Sequence, residues 1–135
     1  MSYDASFVGL TILDISGRPV SDIPDGGNVA FIDEIHLCPA GTCAGALMNA
    51  AKLGTKCRTV ACLGDDEKKD FILDRYRRIG NIDTNLVQTT SEAPTSATIL
   101  TIRPNGERPA LHQRGASDVL WVDDEDFGRV CDVKV

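Results

Sequence analysis

Apolar positions along this chain fall into short strand-like runs and longer helical ones. "FVGLTILDI" (7–15) is β-rich and apolar and is ended by Asp14 and a Ser16-Gly17 turn. It predicts one buried strand with a carboxylate at its C-terminal end. "PDGGN" (24–28) is a turn. "VAFIDEIHL" (29–37) places Val29, Phe31, Ile35 and Leu37 on one alternating face, broken at Asp33, and predicts a partly exposed strand. In "HLCPAGTCAGALMNAAKLG" (36–54), Pro39, Ala40 and Gly41 stop that strand and Thr42 is placed to N-cap a helix over 43–53. Leu47, Met48 and Leu53 are its large apolar residues and Gly54 its C-terminal cap. The small residues Cys43, Ala44, Gly45 and Ala46 allow either a ligand or another backbone to come close.

"CRTVACLG" (57–64) predicts a further strand and "DDEKKDFILDRYRRIG" (65–80) a second helix. That helix carries its acids first and Arg75, Arg77 and Arg78 last, matching the helix dipole, with Ile72, Tyr76 and Ile79 on one face. "NLVQT" (85–89) is a short strand, and "SATILTIRPNGERPALHQ" (96–113) a hairpin in which Asn105-Gly106 predicts a type I′ turn and Pro109 an edge. "WVDDEDF" (121–127) leads into a helix through a solvated acidic turn, and "VCDVKV" (130–135) begins a strand. Strands alternating with helices predict an α/β fold around a parallel sheet.

Composition narrows the function classes. The chain has 135 residues, enough for one core, and a net charge of −6, which disfavours a nucleic-acid-binding face. No apolar run approaches the roughly 20 residues of a membrane span, and the N-terminus lacks a signal pattern, so a cytoplasmic location is expected. Cys38, Cys43, Cys57, Cys62 and Cys131 are odd in number and stand among small or apolar residues. No CxxC pair completes a four-ligand set, His36 being the only close addition, so buried free thiols without metal are expected.

The order of elements and glycines resembles the N-terminal part of the ribokinase-like (PfkB-type) carbohydrate kinases. The resemblance rests on "AGTCAGALMNAAKLGTKCRTVACLGDD" (40–66), with Gly41, Gly54 and Gly64 at the family's spacing. "VGLTILDI" with Asp14, "NGER" (105–108) and "RGASDVL" (114–120) match further on, in the right order. It implies an α/β fold with a parallel sheet flanked by helices and a small β-sheet lid, its strands within 18–37 and 96–112. The whole of 1–135 would be the N-terminal portion of such a domain. It also implies that Asp14 binds acceptor hydroxyls, a task suited to a carboxylate that accepts two charge-assisted hydrogen bonds; the plainer reading of Asp14 is a strand-end turn former. Gly41, Thr42 and Gly45 would complete the acceptor side. Three positions depart from the family pattern: Gly45 replaces its Asn and cannot hydrogen-bond a hydroxyl, Leu47 replaces a small residue, and Glu67-Lys68 replaces an aromatic-glycine pair.

Family members run to roughly twice this length, and nothing here resembles their second signature, with its catalytic Asp and nucleotide site; no GxxxxGK[ST] is present either. The expectation is therefore a sugar kinase using ATP and Mg²⁺, of which this segment supplies the acceptor side and lid, and no catalytic residue. The lid would also make a homodimer. The alternative is a non-catalytic sugar-binding or dimerisation module derived from such a kinase.

Overall fold

A computed structural model describes residues 3–134. Two sheets organise the chain. The first contains β1 (Ala5–Val8), β4 (Cys57–Gly64) and β5 (Ile82–Thr90), all parallel, in the order β1-β4-β5. The second is ordered β3-β2-β6-β7 and contains β2 (Ile12–Arg18), β3 (Glu34–Ala40), β6 (Ala97–Thr101) and β7 (Ala110–Gln113). Within it β2 is antiparallel to β3 but parallel to β6, and β6–β7 is an antiparallel hairpin. This is the expected α/β arrangement of a parallel sheet with helices and a second β-sheet beside it, the second having four strands to the first one's three.

The parallel sheet is covered on both faces, and its central strand reads accordingly as a continuous buried run. On one side α1 (Thr42–Lys52) and α2 (Glu67–Ile79) bring Ala44, Leu47, Ala51, Ile72 and Tyr76 against Cys57 and Leu63; Leu13 of the second sheet joins this core. On the other side Val60 and Leu86 meet Val130 of α3 (Asp124–Cys131). Arg58 ties that layer down: it pairs with Asp83 at 3.2 Å, donates to the Arg129 carbonyl and stacks on Tyr3. A 3-10 turn (Ala116–Val119) is fastened by Ser117 Oγ donating to the Thr11 carbonyl at 2.9 Å.

Several boundaries differ from the sequence reading. Residues 7–15 are not one strand. Gly9, at φ 135°, breaks the run, so β1 belongs to the parallel sheet and β2 to the second. Asp14 therefore lies within β2, not at the end of the first strand. The strand expected at 29–37 is displaced to Glu34–Ala40, and Pro39 lies inside it. This is tolerated because β3 is an edge strand, where a missing N–H costs no ladder bond. Thr42 does not cap α1. Gly41 occupies the cap position without a side-chain bond, and its carbonyl accepts the first helical N–H, from Gly45 at 2.9 Å.

The helix expected at 65–80 starts after Asp66, which caps it by accepting from Lys69 N at 3.1 Å. The strand expected at 85–89 extends over Ile82–Thr90. The hairpin turn is not type I′, because Asn105 has no positive φ. Gly106 N donates to Arg103 O at 2.9 Å and Gly106 takes φ 87°, so one tight turn ends in a left-handed glycine. Val130 and Cys131 belong to α3; the strand expected at 130–135 reduces to a parallel bridge between Val133 and Tyr3, and Val135 lies outside the described residues. All five cysteines are free, but Cys131 is exposed and Cys38 only half-buried.

Candidate functional site

Register fixes the two faces of the second sheet. Asp14 is aligned with Cys38 on β3 and Thr98 on β6, and Thr98 with His112 on β7. Directly aligned residues share a face, so Cys38, Asp14, Thr98 and His112 form one polar row across four strands. Ile12 and Ala40 lie on one side of this row along the strands, and Ser16 with His36, then Arg18 with Glu34, on the other. The opposite face is apolar: Ile35 and Leu37, Ile15, Ile99 and Leu111 are aligned across the same strands.

The polar row is incompletely satisfied. Thr98 Oγ1 is hydrogen-bonded to His112 Nδ1 at 2.9 Å. Asp14 Oδ1 is buried and has no hydrogen-bond partner among the described residues. Burial pushes the Asp14 carboxyl up from its ordinary value, against the opposing pull of the Thr98 hydroxyl and of His112. A half-buried carboxylate with an unfilled acceptor oxygen is suited to receive a hydroxyl donor. At the outer end of the sheet Arg18 already closes on Glu34, at 2.7 Å through Nε and 2.5 Å through Nη2, so that pair is occupied.

The other three expected site residues gather around the start of α1. Ala40 is aligned with Ile12, which places Gly41 just beyond the ladder position two residues from Asp14. A Cβ on Gly41 would stand 2.5 Å from the Leu10 carbonyl oxygen, and its φ of 96° is one that L side chains rarely adopt. Gly41 thus lets the chain pass close to Leu10, a packing demand sufficient to require glycine. Thr42 is exposed in the first turn of α1. Gly45, one turn further, faces open space: a Cβ there would meet nothing within 4 Å. Thr98 and His112 were not singled out by sequence. Neither stands in a motif, and only the alternation of the 96–113 hairpin, once paired with β2, puts them beside Asp14.

A shallow cavity of about 260 Å³ opens on the polar face at Ser16, Arg18, Glu34 and His36. A broader groove of about 410 Å³ lies on the apolar face, where Val20, Ile23, Val29 and Ile32 of the 19–33 segment meet Ile15, Ile35 and Ile99. Asp22, the carboxylate that lines the groove, is exposed, whereas Asp14 holds a buried oxygen without a partner, so chemistry is placed at Asp14 and the groove is left as a contact surface. Among the described residues no three His, Cys, Asp or Glu side chains converge as a metal-ligand group, and no helix is long and apolar enough to cross a membrane.

Known proteins share this architecture. Ribokinase from Arabidopsis thaliana, solved with ribose and ATP, superposes with a TM-score of 0.80 over 98% of this chain and 44% of its own, at 19% identity. Fructokinase from Halothermothrix orenii gives 0.74 over 92% of this chain and 42% of its own, at 22% identity. Ribokinase from Thermotoga maritima gives 0.67 at 27% identity, over 84% of this chain and 37% of its own. In sequence, aminoimidazole riboside kinase of Salmonella typhimurium is 28% identical over 71 residues, which are 53% of this chain and 22% of that enzyme. The chain thus spans less than half the length of each of these relatives. The pattern of the pfkB family carbohydrate kinases matches residues 4–130. Since that match takes in nearly the whole sequence, the chain belongs to the pfkB family of carbohydrate kinases.

Proposed function

We propose that the full-length protein transfers the γ-phosphoryl group of ATP to a hydroxyl of a sugar or sugar-like alcohol, and that this segment supplies the acceptor-binding side. The observation that carries the reading is the buried, unpartnered Oδ1 of Asp14 on the polar face of a sheet that adjoins the Gly41 turn. In family context that oxygen is a receptor for an acceptor hydroxyl, and Thr42 and the open space at Gly45 leave room beside it. ATP and Mg²⁺ would be held by residues other than these, and Mg²⁺ would supply charge neutralisation on the phosphates. What this chain's residues do is bind and orient the acceptor, a contribution of position rather than of proton transfer. The 135-residue chain by itself is expected to transfer no phosphoryl group.

The second sheet acts as a lid in this reading, its polar row over the acceptor and its apolar face outward. Phe31 is 95% exposed, and Ile35, Ile99 and Leu111 are exposed on or near the same face. Contiguous apolar surface of this kind marks a contact site. A second copy of the same sheet would cover it symmetrically, making a homodimer through the lid.

The test is Asp14→Ala in the full-length protein. The Michaelis constant for the acceptor rises at least about tenfold while that for ATP stays near wild type, as loss of a charge-assisted hydrogen bond to bound acceptor requires. Unchanged constants for both would reduce Asp14 to a structural residue.

A further inference from the structure

The hydrogen bond between Thr98 and His112 bears on how Asp14 works. A threonine hydroxyl has a single hydrogen to give. If His112 Nδ1 is bare, Thr98 donates to it at 2.9 Å, and Asp14 loses its nearest cross-strand donor. If Nδ1 carries the hydrogen, Thr98 Oγ1 accepts from it and is free to turn its own hydrogen toward Asp14. Only the second arrangement lets the Thr98 hydroxyl donate to the half-buried carboxylate aligned with it.

We propose that His112 and Thr98 are positioning residues for the acceptor, forming a directed chain in which His112 Nδ1–H donates to Thr98 and Thr98 donates to Asp14. The chain occupies one carboxylate oxygen and holds the side chain ionised and oriented. The buried, unpartnered Oδ1 is thereby presented to the acceptor hydroxyl. The row is continuous because β2, β6 and β7 align these three residues directly, so nothing but the edge strand β7 is needed to supply the imidazole. The inference rests on the acceptor-site reading of Asp14 and adds to it two residues on the same face, one from β6 and one from β7. It also adds a required tautomer.

Two measurements on the full-length protein test it. Nitrogen NMR of histidine-labelled protein, with His112 assigned by its loss in His112→Asn, reads the ring directly: Nδ1 protonated is the expected result, and Nδ1 bare overturns the chain whatever the kinetics show. Steady-state kinetics with ribose, fructose and aminoimidazole riboside as acceptors read the consequence. Thr98→Val and His112→Leu each raise the acceptor Michaelis constant about tenfold, the size of one hydrogen bond to a charged group, with kcat and the ATP constant near wild type. The double variant is no worse than either single one, because the two act in series. Thr98→Ser keeps the hydroxyl, and His112→Asn keeps an N–H near the Nδ1 position; both stay close to wild type. If Asp14→Ala raises the constant but Thr98→Val and His112→Leu do not, the chain is wrong and the acceptor site stands. If Asp14→Ala changes nothing, the acceptor site itself is wrong, and the nitrogen spectrum still decides the direction of the His112–Thr98 bond.

Discussion

Asp66, just past the end of a strand of the parallel sheet, and Asp14, inside a strand of the second sheet, are treated in opposite ways. Asp66 follows the parallel sheet's central strand and is saturated. It accepts from Lys69 N at 3.1 Å and Thr95 N at 2.8 Å, and it pairs with the Lys68 ammonium at 2.9 Å. Burial alone would raise its pKa, but the Lys68 contact, the Thr95 hydroxyl and those two backbone amides overcome this and hold the carboxyl well below the usual carboxylate range. Asp14, in the second sheet, keeps an oxygen buried and unfilled, and burial dominates its shift upward. The same contrast runs through the sheets themselves. The parallel sheet is packed on both faces, whereas the second has one face with an unsatisfied acceptor and one with exposed isoleucine and leucine. One half of the molecule is closed by packing on both faces, although Thr59 Oγ1 and Tyr76 Oη stay buried and unpartnered in it; the other is built to be completed from outside.

The comparison can be broken most sharply in the core. Leu63 is fully buried between the central strand and the two helices, so Leu63→Ala costs about 3 kcal/mol by chemical denaturation. A loss under about 1 kcal/mol would mean the parallel sheet is not the stabilising half. Asp66→Ala comes next, at about 2 kcal/mol, since it removes a helix cap and leaves the Thr95 amide without its partner. Its pH signature follows from a lowered folded-state pKa. The stabilisation is fully present above the unfolded carboxylate value and is lost as pH falls through the lower folded value. The wild type and Asp66→Ala therefore converge in stability only in strong acid.

Asp14→Asn has the opposite sign. With a raised folded-state pKa, the folded protein holds the proton more tightly than the unfolded chain does, so the carboxylate destabilises once pH passes above the unfolded value. Asp14→Asn is expected to raise stability at neutral pH by a small amount, under about 1 kcal/mol, seen as a slightly higher thermal midpoint, while weakening acceptor binding. Near and below pH 3.8 the difference closes. A neutral-pH loss of stability would show that Asp14 is a structural partner after all. The smallest effect on the stability of one copy is expected from Phe31→Asp combined with Ile99→Asp, both at exposed positions. Helix content by circular dichroism stays unchanged, while light scattering of the full-length protein shifts from dimer to monomer. A wild type that is monomeric at high micromolar concentration would end the dimer proposal.

How much of this was legible in the sequence divides along the same line. β4, α1 and α2 were readable because burial on both faces, helical periodicity and capping residues act over neighbouring positions. The split between β1 and β2 was not, because residues 7–13 are apolar but for Gly9 and Thr11 and only the three-dimensional course of the chain distinguishes the two sheets. Pro39 read as a stop signal, and an edge strand absorbed it. Asp14 was reached by resemblance, but its unfilled oxygen depends on Cys38, Thr98 and His112, which come from strands far apart in the chain. Pairing register is decided by long-range contacts that leave no local trace, so the candidate site was visible as one residue and not as a row.

Gly64 and Gly115 close on the same short piece of backbone from two directions. A Cβ on Gly64 would collide with the main chain of Ala93, Pro94 and Thr95, and one on Gly115 with the carbonyl of Pro94. Gly64 N also donates to the Thr95 hydroxyl at 2.9 Å, and Ala116 N to the Pro94 carbonyl at 2.8 Å. The linker that carries the chain from the body into β6 is thus gripped from both sides immediately before the strand that bears Thr98. In mechanical terms this is a clamped end rather than a pivot, and tilting of the second sheet has to be taken up at the Gly9 and Gly41 crossings. A saturation library would accordingly find Gly64 and Gly115 among its least tolerant positions, although neither belongs to the polar row.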